Sequence, residues 1–173
     1  RYPYPESFFA WRGAPRADAV VFLNRSDRRP GWMPGAPPPD PFPVVVEYEP
    51  AVARVVLDRI AQDLALRRRF SIFDVTLAGL RYQVVARLLY RDALRQRPEG
   101  VFGFTVNLPW VRAHYFPEVV RQVARMAAPG SPLPLGIRDG GGAPVAGPAG
   151  GMLPEPTRRR EFSLTFFDPR IIT

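Results

Sequence analysis

A chain of 173 residues that is 46% hydrophobic and 12% aromatic carries enough apolar material for one ordinary globular domain, which excludes a wholly disordered chain. It contains no cysteine, which removes thiol catalysis, disulfides and cysteine-ligated zinc together. The net charge is +8 and every basic side chain is arginine, so an anion-binding surface and a codon bias toward arginine both account for it.

Ala19 to Asn24 reads as a buried strand, and Val44 to Tyr48 as another. Between them Pro30 to Pro43 is half proline and must be an extended, irregular connection. Ala51 to Arg69 reads as a helix opened by Pro50, with Val56, Leu57, Ile60 and Leu64 on one stripe. Its other side carries Arg54/Asp58 and Arg59/Asp63 at helix-neighbour spacing, which makes it a surface helix lying on something flat. Three strands follow: Phe70 to Leu77, Leu80 to Tyr90, and Val101 to Leu108. Ala78-Gly79 forms the first turn and the polar stretch Arg91 to Gly100 the second, so the three make an antiparallel meander. Pro109 ends the third strand, and a helix is expected over Phe116 to Ala128, with Val119, Val120, Val123 and Met126 buried. Leu135 to Ala146 reads as a hairpin turning at Asp139-Gly140, and Glu161 to Phe167 as a last strand. The order predicts an α+β fold: an antiparallel β-sheet with flanking helices. Residues 1–128 form the main domain, and 129–173 either extend its sheet or make a small second subdomain.

Alternation splits the meander into two faces. Phe73, Val75, Leu77, Tyr82, Val84, Ala86, Leu88, Phe102, Phe104 and Val106 are expected to cover the core. Asp74, Thr76, Arg81, Gln83, Arg87, Thr105 and Asn107 fall on the other face, mixed with Ile72, Val85, Leu89 and Val101. That second face reads either as wet or as the wall of a small-ligand pocket.

No catalytic constellation is visible. His114 is the one histidine, so no histidine pair exists for a metal, and no serine sits in a Gly-x-Ser-x-Gly turn. The carboxylates mostly sit opposite arginines or in turns. His114, between a strand end and a helix start, reads as structural. No catalytic residue, metal ligand or cofactor is therefore expected. The arginine triplets 67–69 and 158–160 lie at element ends, and nucleic-acid binding is not expected. The apolar run Gly100 to Val111 is shorter than the roughly 20 residues that cross a bilayer. The opening on Arg1 suggests a piece cut from a longer protein.

The stretches FDVTLAGLRYQVVARLLYRD (Phe73 to Asp92) and GVFGFTVNLPWVRAHYFPEVV (Gly100 to Val120), with YPYPESFFAWR (Tyr2 to Arg12) and FFDPR (Phe166 to Arg170), carry a family resemblance. Together they resemble the extracytoplasmic sensor region of bacterial membrane-bound two-component histidine kinases, similar to the Cache or PAS-like sensor folds. The resemblance implies a periplasmic signal-sensing domain held between transmembrane segments, with the kinase core further along the parent chain. It implies a small-molecule ligand on the meander's sheet face, moving Asp74, Thr76, Gln83, Arg87, Thr105 and Asn107 from wet face to pocket. It leaves a homodimer open. The chain departs from the pattern in opening with RYPYPESFF where such domains start with a long helix. The alternatives are a structural or dimerisation module that senses a partner protein, a nucleic-acid-binding module, and a small enzyme using His114.

Overall fold

A computed structural model describes residues 4–13, 16, 19–26, 28–33, 44–126, 135–139 and 141–147. Along the chain come β1 (Pro5–Arg12), β2 (Val21–Arg25), β3 (Val44–Glu47), α1 (Pro50–Ala65), β4 (Phe70–Leu77), β5 (Leu80–Tyr90) and β6 (Pro98–Asn107). These strands form one sheet in the order β3-β2-β1-β6-β5-β4, antiparallel at every step. Two three-stranded meanders are thus joined at a β1–β6 seam, and α1 carries the chain from one edge to the other. By compactness the chain divides into a unit that runs to Leu108 and a second that starts at Pro109.

The α1 helix buries Val52, Ala53, Val56, Leu57 and Ile60, a stripe at three- and four-residue spacing that faces the sheet. Burying a side chain such as Ile60 contributes about 1.5–3 kcal/mol. Pro50 opens the helix, where its missing N–H costs nothing. The helix stops at Ala65, short of the expected Arg69, and Arg67 then adopts a positive φ of 54°. Asp63 helps to end it, because its carboxylate accepts from Arg68 (2.8 Å) and Ser71 (2.6 Å). The expected partner Arg59 lies instead over the Phe73 ring, 5.5 Å from its centroid.

β4 and β5 have the expected bounds, joined by a two-residue turn in which Ala78 and Gly79 both have positive φ (49° and 79°). The register of β6 overturns the expected faces. Tyr82 pairs with Asn107, Val84 with Thr105, and Ala86 with Gly103, and residues directly opposite share a face. Val101, Gly103, Thr105 and Asn107 therefore point to the covered side, with Phe102, Phe104 and Val106 on the other. The reason lies in β1, a strand the sequence reading did not assign. Phe9 pairs with Gly103, and its ring takes the space a side chain there would need. The core is then Phe9, Trp11, Phe22, Trp32, Ile60, Phe73, Tyr82, Val84, Leu88 and their neighbours.

The helix after β6 starts earlier than expected. Helical geometry begins with α2 (Leu108–Trp110), passes through a π-helical turn at Val111–Tyr115, and continues as α3 (Phe116–Met126). Pro109 therefore sits in a first helical turn. Of the residues expected to be buried in this helix, Met126 is 82% exposed, while Phe116 and Val111 are the buried ones. In the second unit α3 lies against β8 (Pro144–Ala146), which pairs with β7 (Ile137–Arg138) as the expected hairpin. The expected strand Glu161 to Phe167 lies outside the described residues. No helix among the described residues is long and apolar enough to cross a membrane.

Candidate ligand site

The sheet face turned away from α1 carries one apolar row across its full width. Following the register from β4 to β3, Ile72, Val85, Phe104, Phe8, Leu23 and Val46 stand side by side in one cross-strand row. Much of this face is open: Phe8 is 39% exposed, Phe102 48% and Val46 54%. The Phe8 ring packs on both Phe102 and Phe104, with centroids 6.3 and 6.0 Å apart.

A trough of about 760 Å³ lies over the β4–β6 part of this face. Phe70, Val85, Phe102 and Phe104 line its floor, and the β5–β6 loop forms a wall with Asp92, Ala93 and Arg95. That loop is fastened from within. The Asp92 carboxylate accepts the backbone N–H groups of Gln96 (3.0 Å) and Arg97 (2.9 Å). These donors, the Gln96 N–H first, hold its carboxyl below the usual carboxylate range. Arg95, at a φ of 56°, donates to the Arg67 carbonyl (3.1 Å), and the Tyr90 hydroxyl donates to that of Arg68 (2.8 Å). Arg69 and Arg87 complete the rim, both exposed and neither in an ion pair among the described residues. Three guanidinium groups against one internally engaged carboxylate make this rim attractive to an anion.

The six residues expected to bind ligand fall in three places. Arg87 is in the trough. Asp74, Thr76 and Gln83 lie on the same face nearer the β4–β5 turn, where Asp74 accepts from Arg81 (2.9 Å) and Gln83 (3.4 Å). Thr105 and Asn107 are on the covered face, fully or almost fully buried, and do not share a wall with Arg87.

On that covered face Thr105, Ser7 and Asn24 form a buried polar row across β6, β1 and β2. One step along, Asn107 donates to the Glu6 carboxylate (3.0 Å) and to the Tyr82 hydroxyl oxygen (3.4 Å). Asn24 donates to Glu47 (2.6 Å), which also pairs with Arg29 (2.6 Å). The segment Arg28–Met33 covers the row: Trp32 meets the Phe22 ring edge-on at 5.0 Å, and Asn24 reaches the Met33 sulfur at 3.1 Å. The sequence signal was present in the polar pair Glu6-Ser7 within an aromatic run, and in Asn24 at the end of AVVFLN.

Burial pushes the Tyr82 hydroxyl well above the ordinary tyrosine range, and the neighbouring Glu6 carboxylate pushes it the same way. A raised folded-state pKa gives stability that is complete below the unfolded value of about 10 and is lost as pH climbs beyond it. Tyr90, raised chiefly by burial, acts in the same direction. Urea midpoints measured from pH 8 to pH 12 should fall in the natural chain and fall less steeply in Tyr82→Phe. Equal slopes would remove Tyr82 from the alkaline transition.

His114 stands exposed on the π-helical turn. Its Nδ1 lies 3.0 Å from the Trp110 carbonyl, a contact it makes as an N–H donor, and its ring stacks on Trp110 at 4.9 Å. Among the described residues no group of three or more His, Cys, Asp or Glu side chains could hold a metal ion. No family model, no curated protein and no solved structure matches the chain.

Proposed function

We propose that this chain is the signal-sensing domain of a membrane-bound two-component histidine kinase, placed on the extracytoplasmic side of the membrane. In this reading the domain binds a small anion and has no catalytic role of its own. The parent protein's transmembrane helices and kinase core are its partners, and the fold is a PAS- or Cache-like one. The observation that carries the reading is the trough, an arginine-rimmed, apolar-floored cavity on the free face of an antiparallel sheet. The stretches that resemble the sensor family support it, since they supply β4, β5, β6 and the helix that follows. A ligand that favours one arrangement of the sheet and its flanking helices shifts the population toward it, and that shift is the signal.

The test is a thermal-shift screen of small acids, amines and neutral compounds, followed by titration of the hits. Acids should stabilise the fold, and Arg87→Ala should weaken them roughly tenfold or more, since a hydrogen bond to a charged group contributes about 1.5–3 kcal/mol. Hits that Arg87→Ala leaves unchanged would remove the trough as the sensing site. The width of the open apolar face also favours a second reading, a dimerisation module that pairs copies through that face. Sedimentation of the natural chain beside a Phe8→Ser variant separates the two: a dimer lost on substitution favours the module.

A further inference from the structure

We infer that the ligand of the trough is a single-chain amphiphilic anion, a carboxylate head on a long alkyl chain. This inference rests on the sensing reading of the same site and adds the ligand's chemical class. Beside Arg87, the row Val85–Phe104–Phe8–Leu23–Val46 continues across five strands, about 19 Å at ordinary strand spacing. That is the reach of a medium to long alkyl chain lying across the strands.

Arginines gather at one end of this path, and at the other Arg25 stands on the same face beside Leu23, opposite Val44. Arg69, Arg87 and Arg95 stand at the trough, while no side chain in the row from Val85 to Val46 is polar. A short hydrophilic acid would satisfy the arginines and leave Phe8, Phe102 and Phe104 in water. An apolar cation would cover the aromatic row and meet the guanidinium groups with like charge. A second copy of the chain, docked on the same face, would have to bury the arginines of both partners. An anionic head joined to an apolar tail meets both ends of the path at once.

The experiment is calorimetric titration of the chain with sodium hexanoate, octanoate, decanoate and laurate, each below its micelle concentration. Dodecanol and dodecyltrimethylammonium serve as head-group controls, and phosphatidylglycerol vesicles as the membrane arm. Affinity should rise roughly threefold to fourfold per methylene, as expected for burying alkyl surface. Arg87→Ala should weaken laurate about tenfold and keep the slope along the series. Phe102→Ser, at an exposed position that leaves the core intact, should flatten the slope and keep the melting temperature. Acids that bind through Arg87 with one affinity whatever their length would overturn the amphiphile and leave the sensing site standing. Preference for dodecyltrimethylammonium, or binding to vesicles with none to the monomeric acids, also overturns it. If no acid binds at all, both readings fall.

Discussion

Gly103→Ala is expected to lower stability by about 3 kcal/mol, and Gly103→Val to prevent the sheet from closing. A Cβ at this position would lie 2.5 Å from Phe9 Cζ and 2.7 Å from the Val85 carbonyl oxygen. The first neighbour is a ring fixed in the core; the second is backbone of the adjacent strand, which cannot retreat without losing its ladder bonds. Phe9 and Gly103 are direct cross-strand partners, so the ring covers the glycine and makes up for its missing side chain. Shrinking the ring should therefore relieve part of the clash. In urea denaturation, the Phe9→Ala/Gly103→Ala pair should lose at least 1 kcal/mol less than the sum of its single changes. The carbonyl contact remains, so rescue is partial. A Gly103→Ala protein within about 0.5 kcal/mol of the natural chain would show that the seam is looser than described.

The second large effect concerns Glu6. Its side chain is buried, and its carboxylate is held by Asn107 (3.0 Å) and by the Tyr82 hydroxyl. Asn107→Leu removes one of these donors and leaves a buried charge to be satisfied by the other, which is expected to cost about 3 kcal/mol. The cost should come from the stranded carboxylate more than from the lost bond. Glu6→Leu combined with Asn107→Leu should accordingly recover at least half of the loss, since an apolar pair of similar volume has no charge to desolvate. Denaturant midpoints of the two single variants and the double variant decide the matter. If the double variant is as unstable as the sum of the singles, the two side chains act independently and the network is not a unit.

The local architecture was readable where a pattern had one solution. The two-residue Ala78-Gly79 turn fixed the β4–β5 register, and those two strands have the bounds that alternation indicates. α1 declared itself through a single stripe, though not its end, which depends on Asp63 folding back onto Arg68 and Ser71. The faces of β6 were not readable. One side carries Phe102, Phe104 and Val106 and the other Val101, Gly103, Thr105 and Asn107, so the aromatic side looks like the core side. What turns those rings outward is Phe9 above Gly103, a contact made by a strand far away in sequence. The same inversion carried Thr105 and Asn107 out of the expected pocket and into the interior. Arg87 was readable as a pocket residue because its strand was placed correctly. Arg95 was missed because the β5–β6 loop is bonded back to the Arg67 and Arg68 carbonyls, and Arg69 because it comes before β4, where its carbonyl accepts the Leu88 N–H (2.8 Å).

The seam between the two meanders sets the order in which the chain can fold. β1, β2 and β3 pair with near neighbours, as do β4, β5 and β6, so each half can assemble from contacts that are short in sequence. Joining them requires β1 to find β6 across a separation of about a hundred residues, with α1 already crossing between the edges. Until that happens, β1 and β6 are both raw edges with unpaired backbone groups, β1 with aromatic side chains on two sides and β6 with Phe102 and Phe104 on one. During synthesis β1 must wait for the whole of the second meander to emerge. Slow closure and a sticky half-formed state are thus inherent in placing the earliest strand at the centre of the sheet.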